Sequence, residues 1–425
     1  MSSPLWSAPH RSSPLDAQVV LPGSKSLTNR ALILAALAEG PSTVRLPLRS
    51  RDTELMVRAL RALGVGIEDR EGDWVVTPAR WGSQVGSVDI DCGLAGTVMR
   101  FVPPVAALSG GSTRLDGDER ARERPMGTVI SALQDLGVVI DDGGRGSLPF
   151  TVHGDGNVDG GVVTIDASAS SQFVSALLLA GARYAKGVDV RHVGKPVPST
   201  PHIDMTVTQL QARGVEVDET EPNRWVVGAG PIAALDTLIE ADLSNAGAFV
   251  AAALVTGGTV RIRHWPERTD QAGDRWREIA ALFGADVSRD GGDLVVTAGG
   301  RLTGIQVDLH DEGELTPVVA AVCAMADSPS QLTGVGHLRG HETDRLAAIT
   351  AELGRVGCDV VDTEDGLLIT PRPLHSAVLQ TYADHRMAHA AAVLGLAVSG
   401  VRVVDVATTA KTFPDFAAAW TDVVA

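Results

Sequence analysis

Six runs along the chain are apolar at nearly every position, and each is introduced by a polar or glycine-rich cap. The first, 31–38, follows Ser24-Lys25-Ser26; the second starts at Val98 behind Gly93-Leu94-Ala95-Gly96-Thr97; the third starts at Phe173 behind Ser170-Ser171-Gln172. The fourth follows Ser244-Asn245-Ala246-Gly247, the fifth Gly313-Glu314-Leu315-Thr316-Pro317, and the sixth Asp384-His385-Arg386-Met387. Runs such as 173–180 and 249–254 leave no face for water, so they predict helices that lie inside the protein.

Two short marks recur between these runs. One is a Gly or Ser turn followed by a β-prone stretch that usually holds Arg, as in Ser42-Thr43-Val44-Arg45-Leu46 and Gly258-Thr259-Val260-Arg261-Ile262. With Thr333 as place-holder, it falls at 45, 114, 191, 261, 333 and 402, at intervals of 69 to 77 residues. The other is a helical stretch that closes on a glycine and re-emerges as a strand, at Gly64, Gly137, Gly214, Gly284 and Gly357. Two independent marks thus share one period, too long for an ordinary solenoid. They predict six copies of a small α/β unit, with about two helices and several strands each, packed as two groups of three.

Repeat symmetry would run the three buried helices of each group parallel and bring their N-termini together. Each N-terminus carries about half a positive charge, so the converging ends would attract anions. That changes the meaning of the composition. The chain has 36 Lys and Arg against 52 Asp and Glu, a net charge of −16, which repels nucleic acid and anionic membranes unless cations are gathered locally. Cys92, Cys323 and Cys358 lie far apart without metal-ligand spacing and leave an odd thiol, which suits a reducing compartment. The first 18 residues lack an apolar core and read as a tail rather than a secretory signal, and no apolar run is long enough for a membrane span. A soluble cytoplasmic protein is expected.

The densest candidate chemistry is Pro22-Gly23-Ser24-Lys25-Ser26-Leu27-Thr28-Asn29-Arg30, which runs directly into the first apolar run. Ser24 or Ser26 can cap the helix, leaving first-turn N–H groups and two cations to face an anion; a helix start with two solvated cations fits equally well. Arg100, Arg124, Arg345, Arg386 and Lys411 are further cations, a mixture of Arg forks and Lys point charges suited to several oxyanions. In His341-Glu342-Thr343-Asp344-Arg345-Leu346, Thr343 is a candidate helix cap. Glu314 suits a base and Glu342 a proton donor. His337-Leu338-Arg339-Gly340-His341 lacks the further ligands of a zinc site, and Gly23-Ser24-Lys25-Ser26 lacks the upstream glycine of a Walker loop.

These residues resemble the enolpyruvyl transferases, and within them the branch acting on shikimate 3-phosphate. The resemblance covers nearly the whole chain through seven stretches in order: 22–30, Leu94-Ala95-Gly96-Thr97-Val98-Met99-Arg100, Glu123-Arg124-Pro125, Ser170-Ser171-Gln172, Glu342-Thr343-Asp344-Arg345-Leu346, Asp384-His385-Arg386-Met387 and Lys411-Thr412-Phe413-Pro414-Asp415. It implies a two-domain inside-out α/β barrel of six βαβαββ units, three per domain. One domain would be discontinuous, 1–22 plus 239–425, and the other would span 23–238, with the active site in the cleft between them. The implied reaction moves the enolpyruvyl group of phosphoenolpyruvate to the 5-hydroxyl of shikimate 3-phosphate and releases phosphate, in a monomer with neither metal nor organic cofactor.

The resemblance further implies that Lys25 contacts both substrates, Glu314 accepts the hydroxyl proton and Glu342 protonates the methylene. Ser26, Arg30, Ser170, Ser171, Gln172 and Ser199 would hold shikimate 3-phosphate, together with Glu314 and His341. Gly96, Arg124, Gln172, Arg345, Arg386 and Lys411 would surround phosphoenolpyruvate, the site at which glyphosate inhibits the family. Three departures stand out: Leu94 where the family usually has Asn, Glu314 where it has Asp, and His341 where it has Lys. The rival readings are the sister transferase acting on UDP-N-acetylglucosamine, whose loop thiol has no convincing counterpart in Cys92, and a sensor that kept the fold without the chemistry.

Overall fold

The structure is a computed structural model that describes residues 5–424, the side chains of Gln84 and Val85 excepted. Six small sheets, five of four strands and one of three, form its strand framework. In four copies the strand before the buried helix lies parallel to the strand after it: Gln84–Asp91 with Gly110–Asp116, Gly161–Ile165 with Val188–His192, Gln306–Asp308 with Ser330–Thr333, and Val378–Leu379 with Arg402–Val404. An antiparallel hairpin completes most of these sheets; in the third copy it is Arg224–Val227 with Val217–Asp218.

The first and fourth copies exchange their leading strands. Asp16–Val19 precedes the Lys25–Leu37 helix but pairs with Thr259–Ile262, whereas Thr237–Leu238 precedes the Leu243–Thr256 helix but pairs with Ser42–Arg45. Two compact units result, one of 1–22 with 241–425 and one of 23–240. The latter reaches past the expected 238, because Ile239 N–H donates to Arg45 C=O and Glu240 C=O accepts from Ser24 N–H. Each unit has its own apolar core, and no buried residue belongs to both.

The N-terminal stretch is not a tail. Leu5–Ser7 pairs antiparallel with Arg402–Val404, the place a hairpin strand holds in the other copies, so the sixth copy is completed from the start of the chain. Leu15 is buried, and Arg11 donates to the carbonyls of Ser13, Pro14 and Val424. The strand pairing and the bond to Val424 link residues far apart in sequence, which is why local composition gave no sign of them.

The six buried helices are Lys25–Leu37, Gly96–Ala106, Gln172–Gly181, Leu243–Thr256, Thr316–Cys323 and His385–Ala397. In the first, every residue from Ala31 to Leu37 is buried, as its apolar pattern predicts, and the polar Thr28, Asn29 and Arg30 are buried with them. The three helices of each unit pack against one another, with the sheets outside them. The recurring glycines are explained by backbone geometry: all five lie just past helix ends, with φ between +75° and +98°, where any side chain is disfavoured. The recurring arginines are surface groups, as in the pairs Arg45–Asp236 and Arg261–Asp290. Among the described residues, no helix is long and apolar enough to cross a membrane.

Candidate active site

In the unit of 23–240, side chains tie the three helix N-termini together. Asn29 Nδ2 donates to Thr97 Oγ1 (2.7 Å), Arg100 Nη1 to Gln172 Oε1 (3.0 Å) and Arg30 Nη2 to Ser175 Oγ (3.3 Å). Ser24, not Ser26, caps the first helix by accepting from Leu27 N–H. Lys25 stands in the first turn with its Nζ 3.6 Å from the buried carboxylate of Asp52. Gly96 opens the second helix, where a Cβ would lie 2.8 Å from Arg100 Nη1 and 3.1 Å from Arg124 Nη1. Both guanidinium groups therefore crowd that N-terminus, and the missing side chain keeps their ends in place.

Ser170 Oγ accepts from Gln172 N–H (3.2 Å), and Ser171 is buried at the N-cap of the third helix. Arg30, 1% exposed, also donates to Ser26 C=O, Thr206 Oγ1 and His202 C=O, so it braces this cluster from within. Ser199 lies in a left-handed turn just before the Pro201–Gln211 helix, its carbonyl accepting from His202 N–H. Leu94 supplies a backbone carbonyl that accepts from Arg124 Nη1 at 3.4 Å.

In the other unit, one continuous network holds every residue assigned there from sequence. Ser244 Oγ donates to Glu314 Oε1, and Arg386 lies 3.8 Å from Glu314 Oε2 while donating to Asn245 Oδ1 (3.3 Å). Asn245 Nδ2 donates to Thr412 C=O (3.0 Å), next to Lys411, whose Nζ donates to Glu342 Oε1 at 2.7 Å. Arg345 Nη2 reaches Glu342 Oε2 (3.2 Å), Nε reaches Asp384 Oδ2 (2.7 Å), and Nη1 donates to His341 Nδ1 (3.3 Å). Glu342, Arg345, Asp384, Arg386 and Lys411 are all buried. Burial alone would push the Arg345 guanidinium down, but Asp384, Glu342 and Glu314 outweigh it and hold the group above its ordinary range. A permanent buried cation results, compensated by carboxylates that an incoming anion can replace.

Two local assignments change. The helix Arg345–Arg355 is capped by Asp344, which accepts from Ala347 N–H, and not by Thr343. Glu314 lies in a 3₁₀ turn, Gly313–Leu315, ahead of the fifth buried helix. Cys92 is fully buried; burial, then Asp91 and Asp116, push its thiol far up, the opposite of a reactive cysteine. Among the described residues, no group of three or more His, Cys, Asp or Glu is placed to hold a metal ion.

A family model described as EPSP synthase (3-phosphoshikimate 1-carboxyvinyltransferase) matches residues 9–420. The chain belongs to the EPSP synthase family. A 3-phosphoshikimate 1-carboxyvinyltransferase of Kocuria rhizophila is 53% identical, over 99% of this chain and 96% of its own length. An EPSP synthase from Acinetobacter baumannii shares the fold at a TM-score of 0.80 and 24% identity, covering 99% of this chain and 98% of its own. The enolpyruvyl transferase NikO from Streptomyces tendae shares it at 0.74 and 15%, over 97% and 96%. Against the usual EPSP synthase pattern, the structure gives Leu94 a backbone contact and Glu314 two side-chain partners. It also shows contacts to which the sequence assigned no role: Asp52, which no motif contains, faces Lys25, while Ser244 and Asp384, named above only within helix caps and motifs, hold Glu314 and Arg345. Ser244 and Asn245 had a usable signal as part of the polar cap of the fourth apolar run, whereas nothing local marks Asp52.

Proposed function

We propose that the protein transfers the enolpyruvyl group of phosphoenolpyruvate to the 5-hydroxyl of shikimate 3-phosphate, as family membership and the two clusters together support. The observation that carries the chemistry is Glu342, a buried carboxylate between Lys411 and Arg345. When an anionic substrate draws those cations to its own oxygens, Glu342 loses the charges that favour its ionised form and gains an anionic neighbour, so it takes up a proton more readily. It can then protonate the methylene carbon of phosphoenolpyruvate. Glu314, held by Ser244 and Arg386, accepts the proton of the attacking hydroxyl. A C–O bond forms at the cationic carbon, and the tetrahedral adduct then loses a proton and inorganic phosphate to regenerate the enol ether.

Arg345, Arg386 and Lys411, with Arg124 and Gln172 around Gly96, hold phosphoenolpyruvate on this reading, and Lys25 contacts both substrates. Ser26, Arg30, Ser170, Ser171, Gln172 and Ser199 hold shikimate 3-phosphate, with Glu314 and His341. Glyphosate would compete for the phosphoenolpyruvate site, and a monomeric, cytoplasmic enzyme belongs to the same proposal. The test is phosphate release from phosphoenolpyruvate in the presence of chelator, with shikimate 3-phosphate or UDP-N-acetylglucosamine as acceptor. Release that requires shikimate 3-phosphate is the expected result. Release only with the nucleotide sugar, or with neither, overturns the reading.

A further inference from the structure

The helix Arg345–Arg355 grips the chain before Asp384 at two points. Arg345, its first residue, holds the Asp384 carboxylate through Nε and Nη2. Glu352 lies two turns further along, on the same face. It is 3% exposed; its Oε1 accepts from Tyr382 Oη (2.6 Å) and Arg355 Nε (3.1 Å), and its Oε2 accepts from Gln380 N–H (3.0 Å). The segment between these grips is unusual. Tyr382 and Ala383 are both left-handed, with φ of +55° and +52°, a conformation that opposes any residue with a Cβ and persists only where surroundings enforce it. Asp384 N–H then donates to Thr381 C=O (2.8 Å), and Asp384 itself is fully buried, capping the last buried helix by accepting from Arg386 N–H (2.8 Å).

We propose that Glu352 and Tyr382 are positioning residues for phosphoenolpyruvate: their hydrogen bond fixes the left-handed turn at Tyr382 and Ala383, so that Asp384 meets Arg345 and the backbone of Arg386 together. Neither side chain belongs to the network of assigned contacts; both act on it through Asp384. Burial and the Glu352 bond push the Tyr382 hydroxyl up to about 12, so it stays a donor at neutral pH. The inference rests on the assignment of Arg345 and Arg386 to phosphoenolpyruvate.

Tyr382→Phe and Glu352→Gln are to be compared with Arg386→Lys in steady-state kinetics for each substrate, alongside thermal melts. Tyr382→Phe is expected to raise KM for phosphoenolpyruvate roughly tenfold, the lower range for a hydrogen bond to a charged group, while KM for shikimate 3-phosphate stays within twofold. Ala383→Gly in the Tyr382→Phe background should recover at least half of that loss, because glycine adopts the left-handed turn without a clamp. A lower melting temperature with both KM values unchanged, or with both raised equally, reduces the pair to a structural role and overturns the proposal. If Tyr382→Phe has no effect while Arg386→Lys raises KM for phosphoenolpyruvate, the clamp fails and the substrate assignment stands. If Arg386→Lys leaves that KM unchanged, the substrate assignment itself fails.

Discussion

Glu342 accepts from Lys411 Nζ at 2.7 Å and from Arg345 Nη2 at 3.2 Å, charge-assisted bonds to its anionic form that make it a poor proton donor at rest. The same arrangement makes it a switchable one, because both cations suit phosphate and carboxylate oxygens better than a lone glutamate does. Glu342→Gln keeps the shape and a hydrogen-bonding oxygen but cannot give up a proton. Turnover should fall by roughly 10²–10⁴, the usual range for a lost general acid, with KM for shikimate 3-phosphate unchanged, as expected for a group that acts in the transition state. Rapid-quench and steady-state measurements on the variant decide it, and turnover within threefold of wild type removes Glu342 from that role. His341 is tied to the same event: its Nδ1 accepts from Arg345, so a proton on that nitrogen requires Arg345 to move first.

At the scale of elements, one aspartate does two jobs. Asp384 caps the His385–Ala397 helix and compensates the buried Arg345, and the two contributions separate by substitution. Asparagine is as good a cap but carries no charge, so Asp384→Asn should cost about 2–3 kcal/mol, below the usual figure for a broken buried pair because Glu342 remains beside Arg345. Asp384→Ala should cost about 1 kcal/mol more, the value of the cap. Urea denaturation of both proteins gives the difference, and equal stabilities would show that the cap adds nothing. This division also shows what was legible in the sequence. Apolar runs, their polar caps and the helix-ending glycines are local signals, so the six helices and the period of a small α/β unit could be read directly, whereas the order of strands within that unit came only from the family resemblance. The exchange of Asp16–Val19 with Thr237–Leu238, the service of Leu5–Ser7 in the last sheet and the meeting of Asp52 with Lys25 are long-range pairings. Nothing in the neighbouring residues specifies those partners. The site residues sat between these extremes: motif order named them, but their mutual contacts came only from the folded chain.

For the molecule as a whole, a net charge of −16 leaves most cations committed to carboxylates, and it also bears on how stability responds to pH. Glu312 is pushed up to about 7, first by burial and then by Asp311, Asp308 and Glu278, against the pull of Arg275. His337 is pulled down to about 4, first by burial and then by His310 and Arg345, against Asp365. These shifts act in opposite directions. At pH 5 the unfolded chain carries a protonated histidine that the native state does not, so His337 weakens folding there and ceases to do so by pH 7. At pH 5 the native state holds a proton on Glu312 that the unfolded chain has largely lost, so Glu312 strengthens folding there and that contribution fades as pH rises to 7. Linkage puts each effect at about 2 kcal/mol between these two pH values. Carboxylates held low, such as Asp189 at about 2, titrate below this window and do not contribute. His337→Gln should therefore lower the stability at pH 7 relative to pH 5 by about 2 kcal/mol compared with wild type, and Glu312→Gln should raise it by a similar amount. Because every other titrating group is common to the three proteins, urea midpoints at the two pH values isolate the pair. Shifts of the same sign in both variants would show that the two groups do not oppose each other, whereas opposite signs would mean that a half-buried acid and a half-buried base flatten the pH response of an otherwise strongly acidic protein.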